Sequence, residues 1–280
     1  MDLYTLIKAV ILGLVEGLTE FAPISSTGHM IIVDDLWLQS KEFLGKYPAN
    51  TFKVVIQLGS ILAVIVIFGE RFMDMLDFKS RRTAVKSSGD KLKLSHIIVG
   101  LLPAGVLGVL FEDAIDEYLF SIETVLIGLF VGAVFMIIAD VISSKYNSVK
   151  VESVDMITHK QALIVGLIQC LALWPGFSRS GSTISGGVLL GMNHRTAADF
   201  TFIMAVPIML GASVLSLAKN WQYFTIDVFP FMAAGFISAF IFALVSIKFF
   251  LKLINKVKLI PFAIYRILLV LVIYVLYFYF

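Results

Sequence analysis

Two short segments concentrate the side chains of this chain that could do chemistry. EGLTEFAPISSTGH carries Glu16, Glu20, Ser25, Ser26, Thr27 and His29, and QCLALWPGFSRSGST carries Ser178, Arg179, Ser180 and Thr183. Glu16 and Glu20 are four apart and share one helical face. Pro23 disfavours helix just upstream of itself, and Ser25 to Gly28 has the residue types of a turn and a helix N-cap. In the second segment Pro175-Gly176 breaks the helix, and Arg179 adds a permanent, bidentate cation. A helix N-terminus with an arginine beside it is a natural phosphate cradle. Two such ends, brought together, would hold an anion with several phosphate oxygens. His29, next to Ser26 and near two acids, has the chemistry of a proton acceptor.

Both segments interrupt apolar runs, and the composition defines the solvent around them. Hydrophobic residues make up 59% of 280 positions and charged residues 15%, too apolar for a soluble domain. The chain is expected to be an all-α, polytopic integral membrane protein. There each buried acid would cost roughly 2.5 to 3.5 kcal/mol without a partner, which marks the segments as a functional site. A net charge of +2, with the basic residues bunched in loops, gives no reason to expect nucleic acid as a partner. Cys170 is the single cysteine and reads as an inert small side chain. The first apolar stretch lacks a basic leader and a cleavage site and contains Glu16 and Glu20, so it is expected to be retained.

Six other stretches are long enough to span a bilayer. They lie near Phe52 to Phe68, Leu94 to Phe111, Ile122 to Ile142, Ala198 to Ala218, Val228 to Phe250 and Leu259 to Phe280. Arg71, Lys79, Arg81, Arg82, Lys86, Lys91 and Lys93 crowd the first long loop and assign it to the cytoplasm. The next loop holds Glu112, Asp113, Asp116 and Glu117 and reads as outside; Lys145, Lys150 and Lys160 return the chain to the inside. Lys219 stands alone in one loop, while Lys248, Lys252, Lys256 and Lys258 fill the last. The alternation holds only if the motif segments, Leu3 to Val33 and Gln161 to Met192, enter the membrane as re-entrant hairpins from opposite faces.

An internal repeat points the same way. At an offset of 153, Gly13 matches Gly166, Leu14 matches Leu167, Leu18 matches Leu171, Ser25 matches Ser178 and Gly28 matches Gly181, with Glu16 facing Gln169 and Phe21 facing Trp174. Leu58-Gly59 and Leu210-Gly211 are related by a similar offset. The expected architecture is one membrane domain over residues 1–280. Two inverted repeats, about 1–142 and about 155–280, each contribute a hairpin and three spanning helices, the plan of many transporters. Arg266, close to the inner end of the last helix, is expected to snorkel and to be structural. Gly128 and Gly132 form a GxxxG that could pack helices within or between subunits, leaving a homodimer open. Gln57, Asp140 and His96 receive no role.

The strings EGLTEFAPISSTGH and LALWPGFSRSGSTISGG resemble the two signature motifs of the bacterial undecaprenyl-diphosphate phosphatases of the bacitracin-resistance type. The similarity extends to TFKVVIQLGSILAV at Thr51 to Val64 and IPFAIYR at Ile260 to Arg266. The resemblance implies hydrolysis of undecaprenyl diphosphate to undecaprenyl phosphate, which recycles the lipid carrier of cell-wall precursors. It also implies the re-entrant inverted-repeat fold, a divalent cation, and a multi-pass protein of the inner (plasma) membrane whose site opens to the outer face. In the corresponding mechanism Glu16 and Glu20 hold magnesium or calcium. Arg179 neutralises the transferred phosphoryl group with help from Ser178 and Thr183. Ser25, Thr27 and Ser180 complete the substrate contacts. Ser26 attacks with His29 taking its proton, or His29 attacks itself. The competing expectation is a transporter or flippase of lipid phosphate, in which the acids bind a coupling ion and the arginine binds the cargo.

Overall fold

The computed structural model describes residues 2–76, 91–119, 121–146, 149–223 and 226–279. Lys79, Arg81, Arg82 and Lys86, on which much of the cytoplasmic assignment of the first long loop rests, lie outside the described residues. The described chain is helical, and its β pairing amounts to one isolated bridge between Val151 and Met192.

The first motif segment begins with α1 (Leu3–Thr19), capped by the Asp2 carboxylate on the Thr5 N–H at 2.9 Å. A turn over 20–25 reverses the chain into α2 (Ser26–Met30), which runs on as a π-helical stretch, Ile31–Leu38. Lys8 Nζ donates to Leu38 O at 3.2 Å, so the segment closes on itself as a hairpin. Short α3 (Ser40–Leu44), long α4 (Lys46–Ile67) and α5 (Gly69–Leu76) follow, then α6 (Leu94–Leu110), α7 (Glu112–Tyr118) and α8 (Ile122–Tyr146). The second segment repeats the pattern. α9 (His159–Gln169), capped by Thr158, tightens into a 3-10 turn over Cys170–Leu173. The chain then reverses into α10 (Arg179–Leu189). Gln161 Nε2 donates to Leu190 O at 3.2 Å and closes this hairpin at the matching level. Long helices α11 (His194–Asn220), α12 (Phe229–Val257) and α13 (Ile260–Tyr279) complete the chain.

Among the described residues, five helices are long and apolar enough to cross a membrane: Tyr47–Ile67, Ile122–Tyr146, His194–Lys219, Phe229–Val257 and Ile260–Tyr279. The sixth expected span, α6, has 17 residues, about 25 Å of helix against a hydrocarbon core of about 30 Å. The protein is therefore a polytopic helical bundle with five candidate spans.

Small residues set the closest approaches in the bundle. α1 lies on α12, where a methyl group on Gly13 would run into Gly235 O. Ser238 Oγ reaches Val10 O at 2.7 Å and Ser246 Oγ reaches Leu18 O at 2.9 Å, so α12 satisfies its hydroxyls on the neighbouring backbone. α9 lies on α6 in the same way, with Gly166 against Gly100 O. Gly128 and Gly132 on α8 receive the backbone of the second hairpin's turn: added methyl groups would strike Pro175 O and Phe177 O. The GxxxG thus packs a loop within the subunit.

Candidate active site

The turns of both hairpins meet in the interior of the bundle, and each carries a serine in a backbone conformation that suits glycine. Ser25 has φ 68° and ψ 102°, and Ser178 has φ 76° and ψ 117°. Each strained residue costs on the order of 1–3 kcal/mol and persists only where surrounding contacts enforce it. The two occupy matching positions, each the N-cap of the helix that follows. The first helical residue after each, Ser26 in one hairpin and Arg179 in the other, reaches the same carboxylate, Glu20.

Glu20 joins them. Ser26 Oγ donates to Glu20 Oε2 at 2.7 Å, and Arg179 Nη2 donates to Glu20 Oε1 at 2.9 Å. The ion pair is largely shielded, with side chains 10% and 16% exposed. A second tie, Ser180 Oγ to Ala22 O at 3.1 Å, locks the two turns together. Arg179 lies over Phe21, its Cζ 5.9 Å from the ring centroid, and Phe21 packs edge-on against Phe202 of α11. The guanidinium is thereby held from below. Its Nη1 is buried and has no hydrogen-bond partner among the described residues.

These groups open onto a cavity of about 280 Å³ lined by Glu20, Ser25, Ser26, Thr27, Gln57, Ala172, Trp174, Pro175, Gly176, Ser178, Arg179, Ile208, Met209 and Ala212. Trp174 Nε1 donates to Thr124 O at 2.9 Å and ties the rim to the start of α8. Of the expected site residues, Glu20, Ser25, Ser26, Thr27, Ser178 and Arg179 line this cavity together. Glu16 lies one helical turn before Glu20, 6% exposed, behind the wall.

Three expected residues are turned elsewhere. His29 accepts no proton from Ser26 here: its Nδ1 pairs with Ser25 O at 2.8 Å and its Nε2 with the Tyr265 hydroxyl at 2.7 Å, because one helical turn carries its ring away from the Ser26 side chain. Ser180 spends its hydroxyl on Ala22 O. Thr183 bonds back to Arg179 O at 2.8 Å and receives Thr201 Oγ1 at 2.9 Å, as buried hydroxyls in a helix do when a carbonyl is within reach.

Gln57 proves to line the cavity, and nothing in its apolar surroundings singled it out. The expectation for Arg266 is corrected. It does not snorkel; its residue is 0% exposed, and Nη2 donates to Gly176 O at 2.8 Å and Phe177 O at 2.9 Å. Its helix brings it against the second turn, whose carbonyls have no partner in a strand or helix. Asp140 also gains a place: it accepts from the Leu259 and Ile260 N–H groups at 2.7 and 3.0 Å and pairs with His194 at 2.6 Å, holding the start of α13.

Residues 9–272 match the family model described as bacitracin resistance protein BacA. The chain is 72% identical to a protein of Geobacillus sp. (strain WCH70) named undecaprenyl-diphosphatase, over 99% of this chain and 100% of that one. It is 67% identical to one of the same name from Geobacillus thermodenitrificans (strain NG80-2), with the same coverage. A Bacillus subtilis (strain 168) undecaprenyl-diphosphatase is 60% identical over 96% of this chain and 97% of its own length. With a match over nearly its whole length, and with the cavity built from the residues of both motifs, the chain belongs to the BacA bacitracin resistance protein family.

Proposed function

We propose that the chain hydrolyses undecaprenyl diphosphate to undecaprenyl phosphate and inorganic phosphate in the cavity between its two hairpins, returning a lipid carrier to cell-wall synthesis and giving resistance to bacitracin. The observation that carries this to particular atoms is the series Ser26, Glu20, Arg179: a hydroxyl bonded to a carboxylate, which is bonded to a guanidinium with one buried nitrogen unused. A cavity of about 280 Å³ suits a diphosphate headgroup and leaves a C55 tail to the bilayer.

Ser26 Oγ attacks the terminal phosphorus while Glu20 takes its proton. The bond from that phosphorus to the bridging oxygen breaks, the proton passes to the departing oxygen, and undecaprenyl phosphate leaves. Water, deprotonated by Glu20, then attacks that phosphorus, the bond from phosphorus to Ser26 Oγ breaks, Oγ takes the proton back from Glu20, and inorganic phosphate leaves. Arg179 Nη1, the Ser178 hydroxyl and the N-terminal turn of α10 neutralise the phosphoryl oxygens throughout. Ser25 and Thr27 bind the diphosphate from the other hairpin. Glu20 replaces His29 as the proton acceptor because it is Glu20 that Ser26 is bonded to. Attack by His29 itself would first require both of its ring bonds to break.

A divalent cation fits this wall. The lining offers carboxylate, hydroxyl and amide oxygens and neither imidazole nor thiol, the hard donor set of magnesium or calcium. Among the described residues no three His, Cys, Asp or Glu side chains form a cage, so diphosphate oxygens would complete the coordination. Glu20 would hold the ion from the cavity wall, with Glu16 one helical turn behind it, and the ion would supply Lewis-acid charge when bound.

The finer topology belongs to the same proposal: six crossings, counting α6, and two re-entrant hairpins in inverted repeats of about 1–142 and 155–280. It is supported by the strained serines at matching positions, the matching closing bonds of the hairpins, and the reciprocal packing of α1 on α12 and α9 on α6. The rim at Trp174 and Thr124 lies next to the acidic segment 112–117, which favours a site open to the outer face of the bacterial plasma membrane.

Phosphate release from undecaprenyl diphosphate by the purified, detergent-solubilised protein tests the reading and separates it from transport alone. Ser26→Ala should abolish release while eluting as the same folded species. Undiminished release by that variant would sink the assignment.

A further inference from the structure

Both strained turns are held by neighbouring residues of one helix. On the first hairpin, His29 Nδ1 meets Ser25 O at 2.8 Å, and a carbonyl has no proton to give, so Nδ1 carries the hydrogen. In the neutral ring Nε2 is then an acceptor, and the Tyr265 hydroxyl donates to it at 2.7 Å. The rings lie nearly parallel, 11° apart with centroids at 5.6 Å. On the second hairpin, Arg266 donates to Gly176 O and Phe177 O, the two carbonyls just before Ser178. Gly132 and Gly181 leave the room that this guanidinium occupies. Ser25 and Ser178 are the two positive-φ serines whose conformations aim Ser26 and Arg179 at Glu20.

We infer that Tyr265 and Arg266 are the positioning residues of the reaction, Tyr265 setting the nucleophile's turn through His29 and Arg266 setting the phosphate clamp's turn directly. The inference rests on the site assignment above. It also makes His29 a ring locked in one tautomer, whose N–H holds the Ser25 carbonyl. A peptide in a disfavoured conformation relaxes when its carbonyl loses its donor, and the residue that follows swings with it. Displacement of a reacting group by about 1 Å is enough for a loss of up to about 100-fold.

The two arms predict different kinetics. Tyr265→Phe, which removes one oxygen, should lower kcat by about 10-fold or more with KM within about twofold, because the attacking hydroxyl and not the phosphate clamp is displaced. Arg266→Lys keeps the charge but is one bond shorter, so its nitrogen falls short of the place of Nη2, and it should raise KM several-fold as well as lowering kcat, because Arg179 moves with its turn. Tyr274→Phe, on the same helix away from the site, should match wild type. The readout that a merely structural role would not move is the ¹⁵N spectrum of labelled histidine. The His29 signals, identified by their loss in His29→Gln, should show protonated Nδ1 and unprotonated Nε2 in wild type and a tautomer mixture in Tyr265→Phe. Phosphate release is measured for all variants on protein eluting like wild type, and Tyr265→Phe decides alone if Arg266→Lys does not fold. A Tyr265→Phe enzyme with kcat within about twofold of wild type and an unchanged His29 spectrum, beside an inactive Ser26→Ala, overturns the inference and leaves the site assignment standing. Turnover in Ser26→Ala overturns both.

Discussion

The two hairpins share a backbone and divide the chemistry. Each descends as a helix, turns through a serine at positive φ, and returns as a helix whose first residue reaches Glu20. In the first hairpin the descending helix ends at Glu20 and the returning one starts with Ser26; in the second the corresponding residues are Leu173 and Arg179. Glu16 is matched by Gln169, which is buried as well. One hairpin therefore carries the carboxylates and the Ser26 hydroxyl and the other the arginine. A twofold-related pair with identical side chains would place like charges together, a repulsive arrangement in a low-dielectric interior. The different side chains on the two turns give instead an ion pair with a hydroxyl attached.

The division is tested most severely at the cation. Arg179→Ala leaves Glu20 buried without its partner and removes the charge that faces the transferred phosphoryl group. Turnover should fall by at least about 10³-fold, measured as phosphate release. Retention of a tenth of the activity would mean that the second hairpin contributes shape rather than charge. Glu20→Gln tests the other side. The amide keeps the shape but cannot take the Ser26 proton, and the expected loss is roughly 10²-fold. If Glu20 instead acts only by bonding Arg179, Glu20→Gln will lose no more than Ser25→Ala does.

The shared backbone makes its own prediction. Gly13→Ala and Gly166→Ala each push a methyl group into a carbonyl of the partner helix and should each destabilise the bundle by about 1–3 kcal/mol. Gly105→Ala, where a methyl group meets nothing within 4 Å, should be neutral. Thermal melting in detergent reads all three. A neutral Gly166→Ala would show that α9 does not bear on α6 as α1 bears on α12.

Much of this division is legible in the sequence. The breaks at Pro23 and Pro175-Gly176, the acids four apart, and the register of the two motifs are local features, and local features survive in sequence. The apolar runs place the five long helices to within a few residues at most ends, because hydrophobic length is a property of contiguous positions. Contacts that depend on which way a turn points are not legible. The Ser26–Glu20 bond spans the reversal of the chain, and its geometry follows from the φ of Ser25, which no residue type announces. His29 looks available in sequence because only the fold brings Tyr265, 236 positions later, to its ring. Arg266 misleads for a physical reason: an arginine near a helix end has water within reach in most bundles, whereas here the carbonyls of Gly176 and Phe177, with room left by Gly132 and Gly181, draw it inward. One signal of its role is present in the sequence: Arg266 is the one charged side chain of the last helix, and an interior must satisfy it.

The smallest expected effect separates the two serines by what their side chains do. Ser178 Oγ accepts the Gly181 N–H at 3.1 Å and caps α10, whereas Ser25 makes no such bond to α2. Glycine relieves positive-φ strain at either position, and it adds backbone entropy to the unfolded chain that offsets part of the gain. At Ser25 nothing else is lost from the fold, so Ser25→Gly should stabilise by about 1 kcal/mol and raise the melting temperature. At Ser178 the cap is lost with the strain, and glycine replaces a serine cap at a cost of a few tenths of a kcal/mol, so the net change should be smaller. Ser25→Ala, which keeps the strain and removes the hydroxyl, should leave the melting temperature near wild type. Activity then reads what stability does not: if the Ser25 hydroxyl binds diphosphate, Ser25→Gly and Ser25→Ala lose turnover by the same factor although only the first is stabilised. A Ser25→Gly variant that melts no higher than Ser178→Gly would mean that the first turn is held by its surroundings no more tightly than the second, and the asymmetry between the hairpins would then be confined to their charges.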